Sequence, residues 1–164
     1  MTATERLVAN AETYVERHGH DGDRSNRPAL HVTIVSCMDS RIDLFAVFGL
    51  KVGDAHMIRN AGGLVTDDTV RSLAISQRFL GTKEVLLVHH TNCGLEGLND
   101  EKLADDLERE TGHRPEWRAG GFTDPADSVR ASIERIRADP FIAFKDSVTG
   151  FVFDVKTGAL TEVI

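Results

Sequence analysis

Hydrophobic positions repeat along this chain with two different periods. Over residues 4–18, Leu7, Val8, Ala11, Tyr14 and Val15 share one stripe at helical spacing, which predicts an amphipathic helix. Residues 19–28 are polar, with Gly, Asp, Ser and Asn, and read as a linker. The β-branched run over 30–36 predicts a buried strand. A helical turn through Leu44, Phe45, Val47 and Phe48 follows. A weaker strand covers 54–58, closed by Arg59-Asn60-Ala61-Gly62-Gly63. Residues 67–80 give the clearest helix. Thr66 suits its N-cap, Asp67 and Asp68 suit the positive end of its dipole, and Gly81 suits its stop. A strand over 84–88 runs directly into His89 and His90. Helices are predicted over 99–111 and 126–138, with an irregular loop over 115–124 between them. Residues 150–155 and 159–163 read as a hairpin around Lys156-Thr157-Gly158.

Strands that alternate with helices predict an α/β fold: a mostly parallel central sheet flanked by helices, with an N-terminal helical arm and a C-terminal hairpin. A single domain over 1–164 is expected, with residues 1–28 as the arm and linker. The long polar linker suggests that the first helix docks away from the next element, on a partner subunit. In parallel sheets, sites gather at the carboxyl ends of strands. Both cysteines sit at such ends.

Composition narrows the functions. The formal net charge is −7, and the basic residues are scattered. Such a chain has no electrostatic reason to bind nucleic acid or an anionic membrane. No stretch approaches the ~20 apolar residues that span a bilayer. The N-terminus lacks the apolar core of a signal peptide, so a cytoplasmic location is expected. Two cysteines without an export signal make a disulfide framework a poor reading. Buried thiols, metal ligands or a nucleophile remain.

Two segments carry the chemistry. One is Cys37-Met38-Asp39-Ser40-Arg41, the other His90-Thr91-Asn92-Cys93-Gly94. Thiolate and imidazole are good zinc donors, and an H-x-x-C turn can aim both at one point. Strand-end cysteines alone are more often small buried hydrophobes. The two segments together, with Asp39 and Arg41 beside one cysteine, favour a metal. His90 has the three-residue offset to Cys93, whereas His89 falls on the opposite strand face and reads as a packed neighbour. Three donors leave one tetrahedral position open, the pattern of a catalytic zinc. Asp39 could fill that position in a closed state, unless the Arg41 guanidinium draws it away in a forked pair.

In order, C-x-D-S-R, Arg59-Asn60-Ala61-Gly62 and H-x-x-C-G resemble the motifs of the β-class carbonic anhydrases, most like the short prokaryotic members. The resemblance runs from about residue 30 to the C-terminal hairpin. It implies zinc held by Cys37, His90 and Cys93, and an Asp39–Arg41 catalytic dyad. It also implies a homodimer or larger homo-oligomer, with active sites at the subunit interface and the N-terminal helix reaching over the neighbour. The implied reaction is reversible hydration of CO2 to bicarbonate and a proton through zinc-bound hydroxide. Many relatives have Gly before the zinc histidine, and a second Gly after the H-x-x-C-G glycine is frequent. This chain has His89 and Leu95 there.

Ala61, Val65 and Leu95 are candidates for an apolar CO2 niche, and His89 and His56 for a proton shuttle. Three other readings compete. A cysteine phosphatase needs C-x5-R around a phosphate loop, but Cys37 and Arg41 are spaced C-x3-R. A non-catalytic zinc protein of the same fold would keep Asp39 as a permanent fourth ligand. A hydrolase of another small linear molecule such as CS2 would share the fold and differ in its pocket.

Overall fold

The computed structural model describes residues 1–18 and 24–164, with side chains of 16–18 left undescribed. Part of the expected linker, residues 19–23, lies outside the described residues. Helix α1 (Ala3–His18) precedes strand β1 (Val32–Cys37), helix α2 (Leu44–Phe48) and strand β2 (Ala55–Asn60). A 3-10 turn, Ala61–Gly63, leads to α3 (Asp67–Phe79) and β3 (Glu84–His90). Helices α4 (Asp100–Thr111) and α5 (Pro125–Ala138) follow, then strands β4 (Val148–Phe153) and β5 (Leu160–Val163).

The five strands form one sheet in the order β2-β1-β3-β4-β5. The first four are mutually parallel, and β5 turns back antiparallel on β4. This is the mostly parallel α/β sheet and terminal hairpin that the pattern predicts.

Alternation along β1 divides the core. Val35 packs with Leu73, Leu87, Val129, Ile133 and Ile136, so that cluster is built with α3 and α5. Ile34 and Cys37 pack with Ile42, Leu44, Val88, Cys93 and Phe153 in a second cluster, which includes α2. Five of the six β1 residues are buried, as a strand covered on both faces requires.

Several boundaries differ from expectation. Strand β2 continues through Arg59 and Asn60, because Ser36 pairs with Arg59 and Cys37 with Asn60. Strand β3 likewise continues through His89 and His90, which pair with Val152 and Phe153 of β4. Strand β4 ends at Phe153. There Asp154 Oδ1 accepts hydrogen bonds from the amides of Lys156 (2.7 Å) and Thr157 (3.1 Å), which closes a turn. Helix α5 begins one residue early, since Asp124 caps it and Pro125 occupies its first turn.

Helix α1 has no buried side chain among its described residues. Leu7, Val8, Tyr14 and Val15 of its apolar stripe are all exposed. No helix among the described residues is long and apolar enough to cross a membrane.

Candidate metal centre

Two neighbouring parallel strands deliver the donors. Cys37 is the last residue of β1 and His90 the last of β3. After β3 the chain turns through Thr91 and Asn92, and Asn92 takes a left-handed backbone with φ 54°. That turn brings Cys93 back beside His90. The two sulfurs lie 4.0 Å apart, and one donor atom from each of Cys37, His90 and Cys93 falls within 4.8 Å of the others. All three residues are buried.

The imidazole shows which atom faces the sulfurs' common point. His90 Nδ1 lies 3.0 Å from the Thr91 carbonyl and donates to it, so Nε2 keeps its lone pair. Nε2 is buried and has no hydrogen-bond partner. A buried acceptor without a partner is costly unless something electrophilic meets it. Burial pushes the His90 pKa down and the Cys93 thiol up. Both shifts reflect a pocket that disfavours bare charge, and a divalent cation would reverse the cost for the thiolates. Two soft sulfurs, a neutral imidazole nitrogen and a buried setting fit zinc.

Asp39 stands beside this cluster without joining it. Its Oδ2 is 3.8 Å from His90 Nε2. Arg41 holds the carboxylate in a fork, with Nε 2.9 Å from Oδ1 and Nη2 2.6 Å from Oδ2. The Arg41 amide also donates to Oδ1 at 2.9 Å. The Arg41 side chain, foremost, keeps the Asp39 carboxyl well below the usual carboxylate range. The carboxylate drawn away by its arginine is the arrangement found here.

Residues 32–120 match the carbonic anhydrase family. The chain is 47% identical over 163 residues to β-carbonic anhydrase 1 of Mycobacterium tuberculosis, covering 99% of each. The chain belongs to the β-carbonic anhydrase family. Its fold superposes on the carbonic anhydrase of Streptococcus mutans with a TM-score of 0.92 at 37% identity, covering 100% of this chain and 99% of that one. A carbon disulfide hydrolase of Acidianus sp. is more distant, at 30% identity over 77% of this chain and 74% of its own.

Other residues of this β-carbonic anhydrase build the surroundings of the donors. Arg59 Nε donates to the Cys37 carbonyl at 2.9 Å and Nη2 to the Asp39 carbonyl at 2.6 Å. Asn60 holds the next turn, donating to the Leu64 carbonyl (2.8 Å) and accepting from the Leu64 amide (2.9 Å). The R-N-A-G motif marks this segment in the sequence. Its bracing role was invisible there, because the partners of Arg59 lie 20 and 22 residues away.

The two shuttle candidates do not reach the centre. His89 is fully buried, its Nε2 donates to the Gly63 carbonyl at 3.0 Å, and its pKa falls to about 4, chiefly through burial. It is a neutral structural residue, packed near Phe122. His56 pairs with Thr33 at the opposite end of β1, and its Nδ1 lies 2.7 Å from Ser76 Oγ. Four strand residues, about 13 Å, separate that level from Cys37. Of the apolar candidates, Leu95 packs with the cluster that contains Cys37 and Cys93. Val65 belongs to the other cluster, and Ala61 is exposed.

Proposed function

We propose that this chain catalyses the reversible hydration of CO2 to bicarbonate and a proton at a zinc ion held by Cys37, His90 and Cys93. One observation carries the reading: three buried donors converge while the neighbouring carboxylate is tied to Arg41. A closed structural site would use a fourth protein donor, and the fork keeps Asp39 from that role.

When bound, zinc supplies a Lewis acid that brings the pKa of water from 15.7 towards about 7. The chain's residues do the rest. The Thr91 carbonyl fixes the His90 tautomer and leaves Nε2 as the donor. Arg41 keeps Asp39 ionised. Asp39, held beside the donors, accepts a hydrogen bond from the attacking water and aims its lone pair at the CO2 carbon. Leu95, Val88 and Phe153 pack around the two cysteines and keep the rear of the site dry. The proton passes to buffer.

Residues 1–164 make one domain in this reading, with residues 1–28 as an N-terminal helical arm and linker. The exposed stripe of α1 favours a homodimer in which it packs on a second copy. Two unpaired thiols serving as metal ligands suit a reducing, cytoplasmic compartment.

The test is stopped-flow CO2 hydration with zinc quantified in the same sample, for wild type and Cys93→Ala. Zinc near one per chain, with rapid hydration lost in the variant, is the expected result. Zinc retained with no hydration at any pH would overturn the reading. A CS2 arm in the same experiment separates the carbon disulfide hydrolase activity of the distant relatives.

A further inference from the structure

Two turns meet at the metal centre, and a hydrogen bond from Arg41 joins them. Nη2 of Arg41 donates to Asp39 Oδ2 at 2.6 Å and to the Asn92 carbonyl at 2.9 Å. A guanidinium NH2 has two protons, and these two acceptors use both. The plane of the guanidinium is therefore fixed by the carboxylate on one side and by main chain on the other. The Arg41 side chain is 45% exposed, so little else confines it.

The carbonyl that Arg41 meets belongs to an unusual residue. Asn92 and His31 are the non-glycine residues with positive φ among those described. A left-handed backbone is disfavoured for most side chains, least so for asparagine. Here it sets the direction of the 92–93 peptide and turns its oxygen towards Arg41.

We propose that Asn92 is a positioning residue for the Asp39–Arg41 pair: its left-handed backbone presents the carbonyl that anchors Arg41, and the anchored fork withholds Asp39 from the metal donors. The role lies in the main chain, so glycine can replace asparagine. A β-branched residue, which resists positive φ, cannot. The inference rests on the zinc-centre reading above.

The experiment is a double-mutant cycle in the full-length, metal-loaded protein. Asn92→Gly and Asn92→Val are made in wild type and in Arg41→Lys, which keeps the charge but lacks the fork. Three quantities are read: kcat for CO2 hydration, bound metal per chain, and the visible spectrum of the cobalt-substituted protein, which reports the ligand set. Asn92→Gly is expected to stay within about twofold of wild type. Asn92→Val is expected to lower kcat about tenfold at full metal content, with an altered cobalt spectrum. On the Arg41→Lys background, Asn92→Val is expected to cost less than about twofold more.

A tenfold loss that persists in Arg41→Lys would overturn the proposal, because Asn92 would then act through something other than Arg41. So would a valine variant with wild-type rate and spectrum, or a glycine variant as impaired as the valine one. If Asn92→Val fails to hold metal, Asn92→Ala takes its place in the same cycle. If wild type does not hydrate CO2, the hydration reading fails by itself, and the cobalt spectra of the same proteins still decide the coupling.

Discussion

Gly63 lies so close to Cys37 that a Cβ built on it would sit 2.7 Å from the Cys37 amide nitrogen and 2.8 Å from the Ser36 carbonyl carbon. Its φ is also positive, at 69°. The turn after β2 is thus pressed against the end of β1 where the first metal donor leaves the strand. Backbone atoms of a central strand cannot give way as a flexible side chain can. Gly63→Ala is therefore expected to destabilise the fold by roughly 3 kcal/mol, from overpacking and left-handed strain together, and to weaken zinc binding. Gly158 shares the positive φ but has open space around it. Gly158→Ala should cost only about 1 kcal/mol and leave zinc untouched. Urea unfolding with zinc titration of both variants checks the contrast. Equal losses would remove the steric argument.

Arg59 spans the same junction from the other side, holding the carbonyls of Cys37 and Asp39. A lysine keeps the charge but cannot reach two carbonyls with a rigid fork. Arg59→Lys is expected to lower kcat about tenfold while stability falls by about 1–2 kcal/mol. Stopped-flow kinetics beside denaturant unfolding tests this. Wild-type turnover in Arg59→Lys would show that the 37–41 turn holds itself.

These two positions show what could be read in the sequence and what could not. The Cys37–His90–Cys93 cluster is legible because its signals are local: each cysteine follows an apolar strand run, and the H-x-x-C offset is three residues long. The parallel sheet was legible for the same reason, from strand and helix periods. Arg59 and Asn60 read as the closure of a strand in the sequence, because polar residues after an apolar run resemble a loop. In this sheet they are still paired, Arg59 with Ser36 and Asn60 with Cys37, at the carboxyl edge where polar side chains serve the site. The apolar period starts α5 at 126, whereas Asp124-Pro125, a cap followed by a first-turn proline, sets its start at 125. The approach of Gly63 to Cys37 and the bond from Arg41 to the Asn92 carbonyl are beyond its reach, since they join segments 26 and 51 residues apart.

His89 makes stability depend on pH. Its folded pKa, about 4, lies below the ordinary histidine value of 6.5, and burial is the main cause. Between those values the unfolded chain binds the proton and the folded chain resists it. The contribution of neutral His89 is thus fully present above about pH 6.5 and is lost as pH falls towards 4, by up to about 3 kcal/mol. His89→Leu loses the bond to the Gly63 carbonyl and should be about 1 kcal/mol less stable at pH 7.5. Its stability should fall less steeply on acidification. Denaturant unfolding of both proteins from pH 4.5 to 7.5 gives the difference curve. Parallel curves would show that another group carries the acid sensitivity.

The arm gives a prediction about assembly. Val15 is 73% exposed and Leu7 63%, on a helix whose described side chains are all exposed. Ile75, Phe79 and Phe141 leave a second apolar surface open, and Ile75 and Phe141 line one groove. A helix that covered such a surface on a second copy would gain about 1.5–3 kcal/mol for each large side chain fully buried. Charges on the stripe would cancel that gain without disturbing the core. Leu7→Glu with Val15→Glu is therefore expected to shift the protein towards monomer in light scattering, while its circular dichroism and zinc content stay as in wild type. An unchanged mass at micromolar concentration would place the subunit contact elsewhere and leave the stripe without this partner. If the mass halves and hydration falls with it, the second copy also completes the site.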